Sequence, residues 1–270
     1  MVEKVTFHFE GALSDEHRMN FYEASRFQYA AARLMVKLAQ FRREGKFVQN
    51  ITNGSNFNIV ITSQEKGSFD INTESPDSDS GDKSFVDMSM ADLLSYVSER
   101  LIEKTDENEL LNSVAADGGA LNASGAGKAS KGDEVEELLA MLASDDTLRK
   151  ALRPEARELV ERRIAEKARQ ARLEAVKKEV AKIDAPRAQK LISMSAPLVR
   201  EMAVALRKSA TTMEVVSNKG GTDSSVIYLN QRMAADIENS VVDKNITPIM
   251  ADIIQYNKEN GTGKLRLFDR

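Results

Sequence analysis

The chain has 270 residues, with 38 basic and 42 acidic side chains and a net charge of −4. It contains no cysteine and two histidines, His8 and His17. Disulfides, thiolate nucleophiles and Cys-based metal sites are therefore excluded, and little is left for chemistry that needs an imidazole base.

The charge is uneven along the chain. Residues 65–144 carry 6 basic and 18 acidic side chains, whereas residues 145–208 carry 17 and 10. Such a block pattern points to interaction surfaces, or to two segments that attract each other. The opening MVEKVTFHFEG has no apolar h-region, and no window offers 18 uninterrupted apolar residues. The expectation is a cytoplasmic protein without a membrane span.

Residues 3–10 alternate strictly, with Val5, Phe7 and Phe9 on one side and Thr6, His8 and Glu10 on the other. This pattern predicts a half-buried strand. From about 20 to 43, Phe21, Ala24, Phe27, Ala31, Leu34, Leu38 and Phe41 recur at helical spacing, and Tyr22, Tyr29, Met35 and Val36 widen the apolar surface. A broad amphipathic helix is predicted, ending at Gly45. Strands follow at 56–62 and 68–73 around a Lys66-Gly67 turn, then an acidic loop at 74–84 and a helix at 87–105. Residues 112–132 are rich in Gly, Ala and Ser and read as a flexible linker.

Beyond it the spacing predicts helices at 134–143 and 147–152. A long helix is then expected from Pro154 to about Ile183. Asp184-Pro186 and Ser195-Pro197 each restart a helix in this reading, the last ending near Thr212. A short strand at 225–229, a helix at 230–242 and a hairpin around Asn260-Gly261 complete the chain. A lone hairpin is marginal, so the chain reads as cut inside a longer protein. The fold class expected is α+β. It comprises a β-α-β-β-α module over 1–111, a linker over 112–133, a helical module over 134–217, and a mixed segment over 218–270 that starts a small β module.

The stretches VTFHFEG, MNFYEASRFQYAAARLMVKLAQFRREGKFV and NIVITSQEKGSFDINT resemble the N-terminal α/β module of a group of uncharacterised bacterial proteins. The terminal IIQYNKENGTGKLRLFD is similar to the first hairpin of the five-stranded β-barrel that closes them. The resemblance implies a setting near mobile elements or antiphage genes. It carries no catalytic motif and assigns no site residue.

Several constellations invite chemistry. His8, Glu10, Asp15 and His17 could ligate a metal, but their spacing matches no metal loop, and His8 also fits a surface strand position. Asp77, Asp79 and Asp82 lack the glycine and terminal glutamate of a calcium loop. GTGK at 261–264 precedes a strand, and a phosphate loop requires a helix there. KGGTDSS at 219–225 reads as a loop whose amides could cradle an anion. Asp70 on a strand is the candidate for a metal-dependent carboxylate nuclease, although no Glu-x-Lys strand accompanies it.

The stretch 149–190 is basic. Arg157, Arg162, Arg163, Lys167, Arg169, Arg172, Lys177 and Lys178 are the candidate contacts to a nucleic-acid backbone, with interleaved glutamates opposing them. No catalytic residue, metal or cofactor is assigned. The leading expectation is a non-enzymatic scaffold or adaptor that engages a protein partner or a second copy through helices 134–212, with a role in antiphage defence. Nucleic-acid binding through 149–190 is the alternative, and the nuclease is a further one.

Overall fold

Strict alternation in the first strand sets the architecture. In the structure, a computed structural model, β1 (Glu3–Glu10) is the centre of a five-stranded antiparallel sheet. The residues described are 3–48, 50–52, 56, 59–62, 69–75, 84–116, 139–219, 222–238, 251–257 and 262–267. The other strands are β2 (Val60–Ile61), β3 (Phe69–Ser75), β4 (Thr212–Lys219) and β5 (Thr222–Asn230), in the order β2-β3-β1-β4-β5. Register gives the sheet two unlike faces. Phe7 lies opposite Ile71 and Val215, while His8 lies opposite Asp70 and Glu214. Because side chains alternate, the first set forms an apolar face and the second a polar one.

The apolar face is covered by α1 (Phe21–Glu44). Asn20 caps its start by accepting from Tyr22 N and Glu23 N, and Gly45 ends it at φ 65°, a left-handed conformation suited to glycine. Phe27 inserts edge-on between Phe7 and Phe9, with ring centroids 5.2 and 4.9 Å away. Leu34, Leu38 and Phe41 continue the buried stripe. Next comes α2 (Met90–Leu101), started by a Ser89–Asp92 capping box. The buried Glu3 carboxylate also accepts from Met90 N and Ala91 N at that helix end. Negative charge is favoured there by the unsatisfied amides.

The remaining helices are α3 (Glu107–Ala116), α4 (Asp146–Ala151), α5 (Pro154–Ala175), α6 (Lys177–Val180), α7 (Ala185–Ala203) and α8 (Gln231–Glu238), with a further helical turn at 139–144. Helix α7 packs beside α1, and α5 lies against β5 and α2. A second small core joins Leu110 and Val114 of α3 to Leu142, Leu152, Leu159 and Val160.

The fold class is α+β, as the sequence implies, and several elements differ from expectation. The long helix predicted from 154 to 183 stops at Val176, whose φ −106° and ψ 21° leave the helical region. Pro197 does not end α7. Pro197 and Ser193 are both exposed, so the carbonyl that loses its donor lies on the side open to water. Helix α3 and strand β4 were not expected.

Strand β4 changes the domain picture. It pairs with β1 along its length, so residues from both sides of the expected linker share one sheet and one core. Met1–Glu238 accordingly form one unit and Asn239–Arg270 a second. The start of the expected linker, 112–116, completes α3, while 117–138 lie outside the described residues. So do the Lys66-Gly67 and Asn260-Gly261 turns, the acidic loop at 76–83 with its three aspartates, Gly220-Gly221, and the proposed helix beyond Glu238. In the second unit, β6 (Ala251–Asn257) and β7 (Thr262–Leu267) form an antiparallel pair with a register shift between Ile253 and Gln255.

Candidate functional site

The polar face of the sheet carries a group of ionisable side chains. His8 sits between two carboxylates. Its Nδ1 is 2.5 Å from Asp70 Oδ1 on β3, and its Nε2 is 3.0 Å from Glu10 Oε1 on β1. Only the doubly protonated ring donates to both. The hydrogen bond to Glu10 is the main reason the imidazole pKa is raised to about 9, against the opposing effect of burial. The same bond lowers the Glu10 carboxyl from its ordinary value. A pKa of about 9 makes His8 an imidazolium at neutral pH, held between Asp70 on the neighbouring strand and Glu10 on its own.

Helix α5 forms a wall along this face. Tyr228 on β5 donates its hydroxyl to Glu161 Oε2 at 3.1 Å, and Asn230 Nδ2 donates to Glu158 Oε1 at 2.6 Å. Burial raises the Glu161 carboxyl, and burial together with Glu161 raises the Tyr228 phenol. Between wall and sheet runs a trough of about 620 Å³ lined by Glu10, Glu161, Thr212 and Tyr228 among others, and it continues into a space of about 420 Å³ beside His8. Arg157 lines both parts but donates to the carbonyls of Arg149, Lys150 and Leu152, closing the end of α4.

The eight candidate nucleic-acid contacts do not form one outward face. Arg162 donates to the carbonyls of Glu103 and Lys104. Arg163 pairs with Glu107 and Glu166, and Arg172 with Asp92 and Ser224. Arg169 is 3% exposed and pairs with Glu99, its pKa lowered by burial. Lys167 is half-buried and has interactions of its own. Lys177 is exposed and pairs with Glu174, and Lys178 is exposed. Most of the run thus fastens α5 to α2, α4 and β5.

Of the metal candidates, His8 and Glu10 meet, Asp15 accepts from Gly11 N, and His17 is exposed at the end of a 3-10 turn over Ala12–Glu16. Among the described residues no group of three or more His, Asp or Glu side chains could hold a metal ion. Asp70, the nuclease candidate, is the partner of His8. Residues 222–225 of the suggested anion loop lie in β5.

The outer face of α1 is not apparent from spacing alone. Spacing places Phe21, Tyr22 and Tyr29 with the buried stripe, yet they are 87%, 66% and 64% exposed. At 3.6 residues per turn, Tyr29 stands about 160° and Phe21 about 120° around the helix from Phe27. That angle was the available signal. Arg26 lies over the Tyr22 ring and Arg33 over Tyr29, each with the guanidinium carbon 5.3 Å from the centroid. No protein-family model, curated protein or solved structure matches this chain. No helix among the described residues is long and apolar enough to cross a membrane.

Proposed function

We propose that the chain is a non-enzymatic binding subunit, an adaptor that engages a macromolecular partner through the outer face of α1. The observation that carries this reading is the three exposed aromatic rings in the first turns of α1, with arginines laid over two of them. Tyr, Phe and Arg are the residues enriched where surfaces bind, and large exposed rings grouped on one element mark such surfaces. The surface differs from the one expected at 134–212, where α5 and α7 spend their apolar faces inside the unit. The enzyme reading has less support, because His8, Asp70 and Glu10 are engaged with one another. A role in bacterial antiphage defence is supported by the resemblance of the N-terminal segments alone.

The test is site-specific photo-crosslinking in bacterial cells that express the full chain. A photoreactive residue at Tyr29 is expected to give discrete adducts, and one at the exposed Lys178 none. Absence of adducts at Tyr29, or equal labelling at both positions, would remove the reading.

A further inference from the structure

We infer that the occupant of the α1 outer face is single-stranded nucleic acid, whose bases stack on Phe21, Tyr22 and Tyr29 while Arg33 and Lys208 hold its phosphates. The inference rests on the binding-subunit reading and names its partner. All three large apolar side chains exposed on α1 are aromatic. The other exposed positions within residues 21–32 are Ser25 and Ala32, so this part of the helix itself adds no aliphatic group, and the exposed aliphatics Val60 and Ile61 lie on β2. Exposed rings suit stacking, which every base can supply. Phe21 and Tyr29 are eight residues apart, about 12 Å along the axis and about 80° around it, so the rings are spread over a length greater than one base.

The charge on this face is complementary to phosphate. Arg26 and Arg18 are matched by Glu201 and Glu16. Arg33 has no carboxylate partner among the described residues and adjoins a second cation, the buried Lys37. Lys208 is exposed and likewise unmatched by a carboxylate among the described residues. It stands next to Ser209, which accepts from Asn20 N and donates to Glu23 in the first turn of α1. Arg33 thus lies one turn beyond Tyr29, and Lys208 is next in sequence to the residue bonded to the first turn of α1. A duplex is disfavoured, because its bases are already stacked on one another and these rings lie along a helix fixed to the sheet.

The experiment is fluorescence anisotropy of labelled oligothymidylate and oligouridylate with the purified full chain. Binding is expected at low salt, with a log–log salt slope of about −1.4 for two phosphates held. Phe21→Ala and Tyr29→Ala should each weaken binding about tenfold, and Arg33→Glu should both weaken it and flatten the slope. Lys178→Glu should leave it unchanged, and a duplex of equal length should compete poorly. Circular dichroism and melting of each variant report that the fold is retained. No anisotropy change at low salt, or binding indifferent to loss of the rings, overturns the inference. Nuclease-resistant protein adducts at Tyr29 without oligonucleotide binding would sink it while leaving the binding-subunit reading intact. Absence of any adduct would sink both.

Discussion

Replacing Phe27 and Tyr29 by alanine, one at a time, tests the orientation of α1. Phe27 is fully buried and meets Phe7 and Phe9 edge-on at 5.2 and 4.9 Å. Emptying such a position removes the transfer free energy of the ring and leaves a cavity, together about 3–5 kcal/mol. Each edge-to-face pair adds roughly 0.5–1.5 kcal/mol beyond area burial, which places Phe27→Ala at the upper end, about 4–5 kcal/mol. For a unit of this size that is a fall in Tm of roughly 10–15 °C. Tyr29 is 64% exposed and contributes one cation–π contact with Arg33. An exposed contact of that kind is worth about 0.5 kcal/mol, so Tyr29→Ala should lower Tm by no more than about 2 °C. Thermal denaturation followed by circular dichroism is the assay. Comparable losses for the two substitutions would refute the placement of the helix faces, and with it the exposed aromatic surface.

Three further outcomes are expected. Gly11 has φ 81°, and a Cβ there would run into the Thr211 side chain, so Gly11→Ala should destabilise by about 1–3 kcal/mol in a urea titration. His8 has a folded-state pKa raised from 6.5 to about 9. The stability it contributes is complete below pH 6.5 and is lost as pH rises through about 9, so unfolding free energy should fall across that window in the wild type and not in His8→Gln. Burial raises the Glu161 carboxyl, so its ionised form is disfavoured in the fold. Glu161→Gln should then be neutral or stabilising at pH 8 in the same titration, and a loss above about 1 kcal/mol would contradict that account.

What the sequence shows and what it hides follows from how each element is buried. Strand β1 and the first half of α1 each bury one face, so period 2 and period 3.6 survive in their residues, whereas residues 34–42 of α1 are buried all round. Strand β4 is different. Met213, Val215 and Ser217 are buried in strict alternation, but the third inward position is polar and the outward Val216 is apolar. The alternation of residue types is therefore lost halfway, and an Ala- and Arg-rich helical run precedes it. Helix α3 shows only Leu110 and Val114 as buried positions, too few for a visible stripe.

The candidate sites failed to show for a related reason. His8 and Glu10 are legible as neighbours on one strand face, but Asp70 is 62 residues from His8 and joins it only through strand pairing. Arginines that reach a neighbouring carbonyl, such as Arg157 and Arg162, look in sequence like arginines that face solvent. The outer rings of α1 were readable from helical angle alone, and a stripe judged by spacing without that angle absorbed them.

The central position of β1 bears on how the chain is made. On one side it pairs with β3, close behind it in synthesis. On the other it must wait for β4, and the Thr211–Glu10 contact that starts this ladder spans 201 residues. A nascent polypeptide still on the ribosome presents the first strand with one row of amides and carbonyls open. Such an open edge is a template for mispairing, and loop closure over this span is slow. Fragments cut after the second helix should therefore aggregate when expressed alone, and a chaperone holding the amino-terminal segment until the fourth strand emerges would raise the yield of native protein.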